Sequence, residues 1–98
     1  MNIQALMKQA QQMQAKMQKI DKELNETSYE GTAGGGAVSV DIKGSHEVVS
    51  VTIDPELAAD DIEMVQDMLV IAINDANKKI DAMTEKKMGK FGNIPGLF

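Results

Sequence analysis

Residues 34–56 read GGGAVSVDIKGSHEVVSVTIDPE, and this stretch decides the fold. The three glycines Gly34 to Gly36 interrupt any helical period, because glycine loses the most backbone freedom on entering a helix. Val38, Val40 and Ile42 then alternate with Ser39, Asp41 and Lys43; Gly44-Ser45 supplies a turn; Val49, Val51 and Ile53 alternate again. A period of two with one apolar face predicts a β-hairpin. An antiparallel sheet that is apolar on one side only must be covered there by helices. Upstream, Ser28 to Thr32 is expected to add a third, weaker strand. Asp54-Pro55-Glu56 closes the hairpin with an N-cap residue, a proline at the first helical position and an acid in the first turn, which predicts a short helix.

Working outward, Asp60-Asp61-Ile62-Glu63 repeats the start signal and predicts a long helix to about Met88. Its apolar stripe is Ile62, Val65, Leu69, Ala72, Ala76, Ile80 and Met83, and the same spacing continues into Lys87 and Lys90. Met64, Met68 and Ile71 form a second apolar row, wider than one sheet face requires. Toward the N-terminus, Asn2 to about Asn25 reads as one amphipathic helix. Ile3, Leu6, Ala10, Met13, Met17, Ile20 and Leu24 make a heptad seam, filled between with Gln, Lys, Ala and Met, all good helix formers. At about 100° per residue, Lys8, Lys16, Lys19 and Lys22 centre opposite that seam. The expected architecture is α+β: a long N-terminal helix, a three-stranded antiparallel sheet and a long C-terminal helix. One domain spans residues 1–88, followed by an irregular tail from Gly89 to Phe98 with three glycines and a proline.

A chain of 98 residues without cysteine has neither disulfide nor thiolate zinc site to reinforce a small core. The second apolar row therefore predicts a homodimer, with Met64, Met68 and Ile71 at its interface. No apolar run approaches the roughly 20 residues of a membrane span, so the protein is expected to be soluble and cytoplasmic. The net charge of −5 hides a segregation: residues 1–22 and 76–98 each balance to +3, and residues 23–75 to −11. The two basic ends are where a polyanion would bind.

Little in the sequence supports catalysis. His46 is the sole histidine and falls in the hairpin turn. Asp60, Asp61 and Glu63 are helix-start charges, and Gly34 to Gly36 leads into a strand rather than a phosphate-binding helix N-terminus. Gly89-Lys90-Phe91-Gly92 has the GxxG spacing of a KH loop but begins a tail instead of joining two helices. No enzyme, metal site or cofactor is expected. Every basic residue is lysine, a point charge suited to phosphate; arginine, whose fork reads guanine, is absent. Tyr29, Phe91 and Phe98 are too few for a platform that stacks single-stranded bases. If the chain binds nucleic acid, it should hold the duplex backbone with modest sequence preference.

In order and spacing, several pieces resemble the YbaB/EbfC family of nucleoid-associated proteins: Met7-Lys8-Gln9-Ala10-Gln11-Gln12-Met13-Gln14; Gly34 to Val40 with Gly44; Ile53-Asp54-Pro55-Glu56-Leu57; Asp67, Ala72 and Asn74-Asp75-Ala76; and Ile94-Pro95-Gly96-Leu97. The resemblance implies a tweezer-like homodimer whose helical prongs bind double-stranded DNA on the nucleoid. The prongs would carry Lys8, Lys16, Lys19, Lys22, Lys78, Lys79, Lys86, Lys87 and Lys90. Many relatives also place lysines around the hairpin turn, where this chain has Ser45, His46 and Glu47, so the helical ends are expected to carry the DNA. Family members tend to be encoded beside replication and recombination genes. The alternative reading is accordingly an acidic dimeric adaptor for replication or recombination proteins.

Overall fold

A computed structural model describes residues 2–92, with residues 90–92 described by their backbone. Helix α1 (Ile3–Glu26) leads into β1 (Ser28–Ala33), a turn of 3-10 helix at Gly34–Gly36, β2 (Val38–Lys43), β3 (Val48–Ile53), the short α2 (Pro55–Asp60) and the long α3 (Ile62–Gly92). The strands form an antiparallel sheet in the order β1-β2-β3. The chain ends of the helices are capped as their residue types dictate. The Asn2 side chain accepts from the N–H groups of Gln4 and Ala5. Asp54 accepts from Glu56 N–H at 2.9 Å, and Asp61 from Met64 N–H at 3.1 Å. At the far end of α1 the Thr27 hydroxyl donates to the Glu23 carbonyl at 2.6 Å.

Two boundaries differ from those expected. β1 extends one residue further, to Ala33, because Ala33 pairs with Val38 before the positive-φ glycines Gly34, Gly35 and Gly36 turn the chain. α3 continues past Met88 to Gly92. A single glycine such as Gly89 costs a helix only about 1 kcal/mol relative to alanine, and lysines in the last turns interact favourably with the helix dipole. The rest of the expected tail, Asn93 to Phe98, lies outside the described residues.

The core lies between α3 and the first two strands. Val38, Val40 and Ile42 of β2 are buried, as are Ala33, Ala72, Ala76 and Ile80. Small residues bring the layers together. A Cβ on Gly31 would collide with the Ala72 carbonyl oxygen and with the Ala76 backbone and side chain, so β1 and α3 touch backbone to backbone there. Polar bonds fix the register of that contact: Thr32 N–H donates to the Asp75 carboxylate at 3.1 Å, and the Lys79 ammonium donates to the Glu30 carbonyl at 2.7 Å.

The molecule is long and narrow, with extents of 71 × 19 × 16 Å. Gly44 N–H bonds to the Thr27 carbonyl at 3.0 Å, which seats the end of α1 at the hairpin turn. Beside it, Glu23, Leu24 and Thr27 share a hollow with Tyr29, Met83 and Lys87. From this junction α1 projects away from the sheet with the last turns of α3 running antiparallel beside it, and the pair forms an arm.

Candidate nucleic-acid interface

The arm displays the lysines. Leu24 is 5% exposed, and Met13, Met17 and Ile20 are half-buried along the same seam. That seam turns toward α3, so the opposite face, with Lys8, Lys16, Lys19 and Lys22, is left to solvent, and all four are exposed. Lys78, Lys86 and Lys87 of α3 are exposed as well. Lys87 lines the junction with Glu23 and Leu24, which explains how the apolar stripe of α3 can turn basic. Beyond Met83 the stripe has left the sheet core and meets the end of α1 and Tyr29 at the start of β1. The side chain of Lys90 lies outside the described residues.

Lys79 differs from the other basic residues assigned to the prongs. Besides its bond to Glu30 it lies 3.4 Å from Asp75, and so braces α3 against β1. The Thr32 N–H holds the Asp75 carboxyl below the usual carboxylate range against the opposing effect of burial, and Lys79 adds to the lowering. Lys43 in the sheet lies 3.7 Å from Glu47. The hairpin turn, where His46 adopts φ 72° and meets Asn77 at 3.4 Å, presents no cluster of cations. Among the described residues, no group of histidines and acids is placed to hold a metal ion, and no helix is long and apolar enough to cross a membrane.

A second surface becomes visible only in the fold. α3 lies over β1 and β2 and leaves the inner face of β3 bare. Val40 is 1% exposed, while Val51, paired directly opposite it on the same face, is 46% exposed. Val48 pairs with Ile42 and is 51% exposed, the intervening Val49 being the extra residue of a β-bulge. On α3, Val70 lies two turns before Asn77 on the flank that faces the hairpin turn, and is 58% exposed. Val48, Val51 and Val70 thus border one open apolar flank. The row expected from sequence at the dimer contact lies elsewhere on α3. Met68 is half-buried against Gly34, and Met64 and Ile71 are exposed on the side of the helix away from β3. Sequence missed the open flank because the bulge breaks the alternation of β3; the adjacent pair Val48-Val49 was the available signal.

These features define a class: a small α+β body with an uncovered apolar flank and a lysine-faced helical arm. The chain matches the YbaB/EbfC DNA-binding family over residues 1–94 and belongs to it. It is 51% identical to a nucleoid-associated protein of Chloroflexus aurantiacus over the full length of both. It is 46% identical to one of Clostridium novyi, over all of this chain and 90% of that one. A crystal structure of an uncharacterized Helicobacter pylori protein superposes with a TM-score of 0.77 at 26% identity, covering 95% of this chain and 99% of that one.

Proposed function

We propose that this chain is a nucleoid-associated protein that binds double-stranded DNA as a homodimer, through lysine–phosphate contacts of low sequence specificity. The observation that carries this reading is the exposed row Lys8, Lys16, Lys19 and Lys22 on the projecting arm, with Lys78, Lys86 and Lys87 on the neighbouring helix. The arm stands clear of the acidic body, so a duplex can approach the cations without meeting most of the carboxylates. Ammonium groups on flexible stems neutralise phosphates without reading base edges. Membership of a DNA-binding family supports the same partner.

The dimer is proposed to form across the flank of Val48, Val51 and Val70. Fully burying a valine contributes roughly 1.5–3 kcal/mol, so covering three that stand about half exposed offers the body stabilisation it lacks alone. A two-fold contact also doubles the lysine rows and sets two arms on one particle. Met64 and Ile71 are the competing interface, separable by mutation. The adaptor reading, for replication or recombination proteins, draws on the exposed apolar end of α1.

Titration of a labelled duplex by fluorescence anisotropy at several salt concentrations tests the DNA reading. Each phosphate neutralised releases condensed counterions, with a log–log slope near −0.9 per contact; with about six lysines engaged, a fourfold rise in salt should weaken binding on the order of a thousandfold. Affinity that stays flat with salt would contradict lysine–phosphate binding, and no binding at low salt would favour the adaptor.

A further inference from the structure

β1 is an outer strand of the sheet, whose order is β1-β2-β3. The Thr27 carbonyl accepts from Gly44 N–H of the hairpin turn, and inward and outward bonding alternates along an antiparallel strand. Tyr29, Gly31 and Ala33 therefore turn their backbone groups to β2, while Ser28, Glu30 and Thr32 point theirs out of the sheet. Two of those outward groups are taken by side chains of α3. Thr32 N–H donates to Asp75 Oδ2 at 3.1 Å, and the Glu30 carbonyl accepts from Lys79 Nζ at 2.7 Å. Lys79 Nζ and Asp75 Oδ2 lie 3.4 Å apart, so one donor and one acceptor, held together, straddle Gly31. A residue of an added parallel strand would make the same two bonds, donating to the carbonyl before Gly31 and accepting from the N–H after it. The backbone approach of α3 at Gly31 brings both side chains over the edge.

We propose that Asp75 and Lys79 cap the outer edge of β1 and keep it from pairing with the same edge of a second copy. An edge strand with open N–H and C=O groups is a template for another chain, and β1 meets its own edge in every other copy. The consequence, which rests on the dimer across Val48, Val51 and Val70, is the size of the particle. That contact lies at the β3 side of the sheet, and a two-fold contact there is closed. A second contact through β1, on the opposite side, would link dimers into open-ended chains. The cap leaves only the closed contact.

Asp75→Ala with Lys79→Ala removes the cap in the full chain. Sedimentation velocity is run at about 0.3 M salt, which screens the like charges of two bodies. The double variant should form larger species that grow with concentration: beyond a dimer where the parent is a dimer, and a dimer where the parent is a monomer. The parent's own size thus tests the dimer separately from the cap. Adding Thr32→Pro removes the freed N–H, a change that a strand edge tolerates, and should restore the parent's size. A double variant that keeps the parent's size overturns the proposal. So does assembly that persists with Thr32→Pro, which marks exposed core rather than a free edge. Amide exchange gives the same test at one atom. In a dilute sample of the double variant, Thr32 N–H should exchange about tenfold faster than in the parent and regain protection as concentration rises. Gly31 N–H, bonded to β2, is the control, and a Thr32 rate equal to the parent's overturns the cap. Should the double variant not fold, Lys79→Met frees only the Glu30 carbonyl, and its sedimentation decides by the same outcomes.

Discussion

The body and the arm are built from the same helix used in two ways. Over the sheet, α3 presents Ala72, Ala76 and Ile80, all buried, and approaches β1 so closely that only glycine fits at position 31. Six residues past Ile80, the helix presents Lys86 and Lys87 to solvent and borders only the end of α1 and Tyr29 at the start of β1. The body is intolerant of volume and the arm is not, because one is packed on backbone atoms and the other on a partly covered seam. The division also separates roles: the arm holds the cations, and the body holds the apolar flank through which copies are proposed to meet.

The largest effect that would break this contrast is at Gly31. Gly31→Leu forces a side chain into the Ala72 and Ala76 backbone and should destabilise by about 3 kcal/mol or more, leaving no cooperative thermal transition by circular dichroism. A variant that melts like the parent would show that the layers are not in backbone contact. Next in size, Val51→Asp at the open flank should yield a monomer or an unfolded chain by sedimentation, with Ile71→Asp far milder. The reverse ranking would move the interface to the Met64 and Ile71 side.

A smaller effect belongs to the Asp75 brace. Its carboxyl is held below the usual value of 3.8 mainly by the Thr32 N–H. A depressed folded-state pKa contributes stability that is present above the unfolded value and lost as pH falls through the folded one. Asp75→Asn should therefore lower stability at neutral pH and remove part of the acid-induced loss below 3.8. Urea midpoints measured across that window check the sign; an equally steep acid loss in the variant would mean that another carboxylate is responsible. The smallest effect is in the arm. Among the described residues, none would meet a Cβ at Gly89, so Gly89→Ala should stabilise by about 0.5–1 kcal/mol. A destabilised variant would show hidden packing at that turn.

Much of this contrast was legible in the sequence. Period-two alternation placed β2 and the hairpin turn, the heptad seam placed α1, and Asp54-Pro55 placed α2, because each is a local preference written in neighbouring residues. The open flank was not legible, since it depends on which strands α3 crosses, a tertiary fact, and on a bulge at Val49 that shifts β3 by one residue. The brace at Lys79 was hidden for the same reason. A lysine in a basic run looks like its neighbours until the fold sets it against Glu30 and Asp75. Met68 looked like part of a free row until Gly34 was placed beside it.

The claim that the arm carries the DNA is tested most directly by charge reversal with an internal control. Duplex affinity is measured for Lys16→Glu with Lys19→Glu, for Lys86→Glu with Lys87→Glu, and for Lys43→Glu, after circular dichroism has shown each folded. Both paired reversals should abolish detectable binding, because each converts two attractive contacts into repulsive ones. Lys43, on the sheet beside Glu47, should change affinity little. A Lys43 variant that loses as much affinity as either pair would mean that the sheet, not the arm, holds the duplex.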